Sequence, residues 1–248
     1  MLVTTRTAIA LLGPIIHATR WAPLAATIAV GLAIVALPAA LSEQLTTGTL
    51  TTLLRLAAVC GALGTAFLLD DPAAGTTATV ATPRLLRSLV RAVVVLPVLA
   101  TAWTITQAIA VGATTENEAH LKLGALTIEA AALCATALAL AAARLHNTSE
   151  GTAGPFAAAA LLLATAVTML LPDRIALLPA PTDPRWSRIH VWWTAILTIA
   201  VLGYLSAAVE RLPSRKRRLR SLLPRRPDTV VETEELVDVI VADPTVRQ

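Results

Sequence analysis

Two ionisable residues stand alone inside long apolar runs: Arg55 in "TLLRLAAVCGALG" and Glu129 in "LTIEAAALCATALAL". A charge at membrane depth is costly, so such residues face a partner or a wet cavity. Counted inward from one face at about 1.5 Å per residue, Arg55 lies about 8 Å deep and Glu129 about 12 Å deep. That places them within reach of an ion pair between two helices. A structural pair, an Arg55 that snorkels outward, and side chains lining a substrate path are the roles open at this stage. Glu129 is also the one carboxylate that a proton-coupled carrier could use.

Other chemistry is absent. A phosphate-binding loop needs a glycine-rich turn followed by Lys and Ser or Thr. The two lysines sit instead in "HLKLG" (Lys122) and "SRKRR" (Lys216). There is no His-Glu-x-x-His zinc pattern and no Gly-x-Ser-x-Gly elbow. His17, His120, His146 and His190 fall in separate segments near the ends of apolar runs. Cys60 and Cys134 lie within such runs, away from an oxidising surface, and read as small packing residues. No catalytic residue, metal site or cofactor is expected on this chain.

The elements that must hold Arg55 and Glu129 follow from composition. The chain has 248 residues, 56% hydrophobic and 15% charged, against about a quarter charged in soluble domains. Runs of about 18 or more apolar residues read as membrane helices. The reading is an all-α polytopic membrane protein with six spans, near 24–41, 50–69, 92–112, 121–143, 155–171 and 189–209. The fifth is short, bounded by Pro155 and Pro172. Residues 1–23 carry Ile9, Leu12 and Ile16 on one helical face and read as an interfacial helix rather than a signal peptide.

Arginine and lysine set the orientation. One side holds Arg6, Arg20, Arg84, Arg87, Arg91, Arg144 and the basic residues of the tail. The other holds only Lys122, Arg174, Arg185 and Arg188. Both termini are therefore expected in the cytoplasm. The third outer connection, with prolines 172, 179, 181 and 184, has an apolar centre suited to dipping into the interface. Trp186, Trp192 and Trp193 are expected to mark the outer boundary of the last span. The tail, 210–248, is first basic ("RLPSRKRRLRSLLPRRP") and then acidic. Its basic part suits anionic lipid headgroups, not nucleic acid.

The loop at 70–91, "DDPAAGTTATVATPRLLRSLVR", is the most varied polar stretch between spans. Asp70, Asp71 and Pro72 suit the end of one helix and the approach to another. Thr79 or Thr82 can cap a following helix with Pro83 in its first turn. Arg84, Arg87 and Arg91 then form its basic side, set at the headgroups.

This loop resembles the equivalent loop of type-2 ABC exporter permeases. There an acidic residue, Gly-Thr, Thr-Pro and a basic residue follow the second span; here they are Asp70 and Asp71, Gly75-Thr76, Thr82-Pro83, and Arg84 and Arg87. Thr77, Ala78, Thr79 and Val80 stand where the family has leucines. The resemblance covers the layout of the whole chain: six spans, cytoplasmic ends, an N-terminal interfacial helix and a re-entrant segment before the last span. It implies a coupling loop that meets a separate ABC ATPase subunit, a homodimer or paired permease, and residence in a bacterial plasma membrane. Hydrolysis would then occur on the partner, so this chain would not itself be an enzyme. The other classes that fit are a membrane anchor or assembly factor whose tail recruits a partner, and a small proton-coupled transporter using Glu129.

Overall fold

The computed structural model describes residues 21–41, 45–70, 84–114, 121–147, 152–172 and 176–208. The segment before Trp21, expected to be an interfacial helix, residues 71–83 and the tail after Ala208 lie outside the described residues. Among the described residues every named element is an α-helix. They are α1 (Trp21–Leu41), α2 (Thr47–Ala66), α3 (Arg84–Gly112), α4 (Leu123–Asn147), α5 (Gly154–Leu170) and α6 (Trp186–Ala208).

Five of these are long and apolar enough to cross a membrane; α5, with 17 residues, is shorter. The protein is thus a multi-pass helical membrane protein. Helices are the natural solution in lipid, because each satisfies its own backbone polar groups. The threonines follow the same rule by bonding to carbonyls of their own helix. Thr51 donates to Thr47, Thr106 to Ala102, Thr136 to Ala132 and Thr165 to Leu161. A polar residue type is thereby carried inside apolar helices without an unpaired hydroxyl.

Starts and stops follow local chemistry. Thr46 caps α2, its Oγ1 accepting from the Thr49 amide at 3.3 Å. Pro83 immediately precedes α3, and Pro97 lies inside it. The helix expected after Pro83 and the third span are one continuous helix of 29 residues. That continuity buries Arg91, which is only 7% exposed. Arg91 is therefore packed among its neighbours in the bundle.

Helices α2 and α4 form the middle of the bundle. They pack on each other, with α1 against α2 and α6 against α4. Helix α5 packs on α4 and touches α2, whereas α3 lies mainly against α1 with lighter contacts to α2 and α6. Alanine supplies much of the core: Ala62, Ala66, Ala137, Ala141, Ala142, Ala153 and Ala157 are all buried together. Without a hydrophobic drive between helices in lipid, such small residues gain stability by close backbone approach. Gly64 is the tightest case. A Cβ there would run into Thr27 Oγ1 and come within 3.0 Å of Leu24 Cδ1, so glycine sets the α1–α2 distance.

Successive connections meet at opposite ends of the bundle. The α1–α2 and α3–α4 connections touch through an isolated bridge between Leu45 and Thr114. Lys122 before α4 donates to the Pro181 carbonyl between α5 and α6. At the far end, Asp70 after α2 meets the first residues of α5. The chain therefore runs up and down, which fits the order of spans expected from the sequence.

Candidate functional site

Helices α2 and α4 bring Arg55 and Glu129 together as a buried, two-pronged pair. Arg55 Nε donates to Glu129 Oε2 at 2.8 Å and Nη2 donates to Oε1 at 2.9 Å. The planar guanidinium fork matches the carboxylate, the strongest geometry for such a pair. The Glu129 side chain is 2% exposed and that of Arg55 12%. Of the roles left open by the sequence, the geometry selects pairing and excludes a snorkelling Arg55.

Four further groups gather around this pair. Arg55 Nη1 donates to the Pro179 carbonyl at 2.9 Å, tying the α5–α6 connection to α2. The guanidinium carbon lies 5.5 Å from the centre of the Trp186 ring, and Lys122 Nζ lies 4.9 Å from it. Both cations are placed for attraction by the ring's electron-rich face. Trp186 in turn stacks on His190, ring centres 4.5 Å apart and 27° from parallel. His190 Nε2 stands 3.0 Å from Glu129 Oε1, off the line of a straight hydrogen bond.

The α5–α6 connection covers this cluster. Leu177 and Leu178 pack beside Ala132, Ile189 and Trp193, and Trp193 Nε1 donates to the Leu177 carbonyl at 2.9 Å. Leu177 and Leu178 of the connection thus pack against the protein. Of the three tryptophans expected at the membrane boundary, Trp186 and Trp193 are buried in this packing, and only Trp192 is outward-facing at 63% exposure. Trp193 meets the Leu177 carbonyl there, and Trp186 the Arg55 and Lys122 cations.

A second polar link joins α3 to α4 near the same end. Trp103 Nε1 and Gln107 Nε2 of α3 both donate to Thr127 Oγ1, at 3.1 and 2.9 Å. On the outer surface of the α5–α6 connection, Arg185 donates from its backbone and side chain to Asp183. Those bonds, the side-chain ones foremost, hold the Asp183 carboxyl below the usual carboxylate range.

At the opposite end, Asp70 is 4% exposed. Its Oδ1 accepts from the amides of Ala153 at 2.6 Å and Gly154 at 2.8 Å. Helix α5 has no capping side chain of its own, so Asp70 supplies the cap from the end of α2. Gly154 makes room for it: a Cβ there would strike the Phe67 ring and stand 2.7 Å from Asp70 Oδ2. On the same side, the Arg144 guanidinium lies 5.4 Å from the Phe156 ring centre.

Of the loop residues singled out in the sequence, Asp71, Gly75, Thr76, Thr82 and Pro83 lie outside the described residues. Arg84 and Arg87 open α3, and Asp70 is turned into the bundle as its anchor. Among the described residues no three His, Cys, Asp or Glu side chains gather as a metal site, and Cys60 and Cys134 are both free thiols. Sequence reasoning paired Arg55 with Glu129 but missed His190, Trp186, Lys122 and the Pro179 carbonyl. These reach the pair through tertiary folding and share no spacing with it. No protein-family model, curated protein or solved structure matches the chain.

Proposed function

We propose that this chain is the membrane subunit of an ABC-type exporter, working as a pair of six-span subunits with separate ATPase chains. In this reading both termini face the cytoplasm of a bacterial cell, and α5 is the short fifth span. The 70–91 loop meets the ATPase, and the substrate passes between the two membrane subunits. The basic part of the tail holds the cytoplasmic surface through anionic lipids.

The observation that carries the reading is what the 70–91 loop connects. Its first residue, Asp70, is pinned to α5 by two amide bonds. It leads into α3, an unbroken helix with comparatively light packing on the central pair. A load applied between them would act on α3 more than on α2, which α4 and α5 hold. This is the mechanical arrangement a coupling loop requires: one end held, the other joined to an element that can shift between packings. Glu129 is less available as a proton carrier, because both of its oxygens are engaged by Arg55.

The test is to co-express the chain with a soluble ATPase encoded beside it and to isolate the complex. Substitution of Asp71, Thr76 or Pro83 is expected to weaken the complex and remove stimulation of ATP hydrolysis. Complexes that form and hydrolyse ATP normally in all three variants would remove the coupling assignment and return the anchor reading to first place.

A further inference from the structure

Along the outward side of α6 the side chains change chemistry in a fixed order. Arg188, Trp192, Ile199 and Leu202 fall on one stripe at the helical period, and all four are exposed. Arg188 makes no hydrogen bond or ion pair among the described residues. The other described cations at this end are engaged: Arg55 by Glu129, Lys122 by the Pro181 carbonyl and Arg185 by Asp183. Trp192 is set apart in the same way. The indole N–H of Trp103 reaches Thr127 and that of Trp193 reaches the Leu177 carbonyl, whereas that of Trp192 meets no acceptor among the described residues. With its 23 residues, α6 is about 34 Å long, against about 30 Å for the hydrocarbon core of a bilayer. Its first turn therefore reaches the headgroups when its aliphatic middle fills the core. Trp192 then lies about 6 Å further in than Arg188, with Ile199 and Leu202 among the chains.

We propose that this stripe is a docking surface for one phospholipid of the adjoining leaflet, its phosphate held by Arg188 and its ester oxygens by Trp192. A guanidinium offers a planar fork of N–H groups that matches phosphate oxygens. One turn further in, the Trp192 indole offers a single donor on an otherwise apolar ring, the character suited to the boundary between headgroups and chains. The acyl chains then run along Ile199 and Leu202. Cation, donor and aliphatic surface thus follow one another along the helix as phosphate, ester and chain do along the lipid. The match in charge favours this occupant over a second copy of the chain. Two copies meeting through this stripe about a two-fold axis normal to the membrane would set their Arg188 side chains against each other, like charge on like. The inference rests on α6 and not on the transport reading.

The test is native mass spectrometry of the full chain in detergent micelles titrated with phosphatidylglycerol. Both side chains lie at the surface, so their substitution leaves the packing of the bundle in place. Arg188→Gln is expected to weaken the tightest lipid site roughly tenfold, the worth of one charge-assisted hydrogen bond. Trp192→Phe, which keeps an aromatic ring and removes the donor, should weaken it about threefold. Diacylglycerol, which has the chains and no phosphate, should bind the parent and Arg188→Gln alike. Arg185→Gln is the control: its arginine is already paired, and the lipid should be retained. Binding unchanged in Arg188→Gln or in Trp192→Phe, an equal loss of diacylglycerol, or an equal loss in Arg185→Gln overturns the site. The same spectra count protein chains. A dimer that falls to monomers in Arg188→Gln would put a second copy on the stripe and overturn the lipid assignment.

Discussion

The two ends of the bundle each bury a carboxyl group, and they satisfy it in different ways. At one end Glu129 is met by side chains: Arg55 from α2, with His190 and Trp186 from α6 closing around it. At the other, Asp70 is met, among the described residues, by backbone amides at the start of α5. The first solution places cation and anion together and ties three helices plus a connection. The second uses the exposed N–H groups and positive end of one helix. A buried ion pair is costly to break, because removing one partner strands the other. A backbone cap has less at stake, since its loss leaves two neutral amides unpaired and not a stranded charge.

The sharpest way to break the comparison is at the first end. Arg55→Ala is expected to destabilise the protein by about 3–5 kcal/mol, the range for stranding a buried charge. The double variant Arg55→Met with Glu129→Leu should recover most of that loss, because the cost lies in the unpaired ion and not in missing volume. Denaturant or thermal unfolding in detergent measures both. A double variant as unstable as the single one would mean that the cluster's other bonds, to Pro179 and Trp186, carry the end.

At the second end the expected effect is smaller and steric. Gly154→Ala should cost about 1–3 kcal/mol by overpacking, since the new methyl meets Phe67 and Asp70. The same measurement on Asp70→Ala, combined with Gly154→Ala, tests whether the cap is the cause. If the methyl acts by pushing Asp70 off the amides, the two losses will not add. Additive losses would place the strain on Phe67 instead.

The two ends also differ in how far the sequence announces them. Glu129 and Arg55 are conspicuous because a lone charge in an apolar run has few explanations, and their depths from one face agree. Six helices were legible for the same reason: long apolar runs separated by prolines and charges admit little else. Asp70 was read as part of a loop, since an acid at the end of a span is ordinary and its partners are amides that no side-chain pattern reveals. The burial of Arg91 gives no sign in its spacing with Arg84 and Arg87, because packing depends on the neighbouring helices. Trp186 and Trp193 are conspicuous by type, but the carbonyl and cations they meet inside the bundle are set by tertiary folding. His190 carried no signal beyond standing near the end of a run.

The smallest expected effect sharpens the comparison from outside. Asp183 and Arg185 form the same kind of pair as Glu129 and Arg55, with Nη2 donating to Oδ2 at 2.7 Å. They lie at the surface of the α5–α6 connection, however, with Arg185 39% exposed. Because Arg185 holds the Asp183 carboxyl below its usual range, any stabilisation it lends is present above the normal carboxylate range. It is lost as the pH falls through the lowered value. Water screens such a pair, so Asp183→Asn should leave the melting temperature at neutral pH unchanged within error. Two arginine–carboxylate pairs, one buried between helices and one local and exposed, would then differ widely in what they contribute. A loss for Asp183→Asn comparable to that of Arg55→Ala would show instead that the α5–α6 connection itself limits stability, and that the cluster beneath it matters chiefly as its anchor.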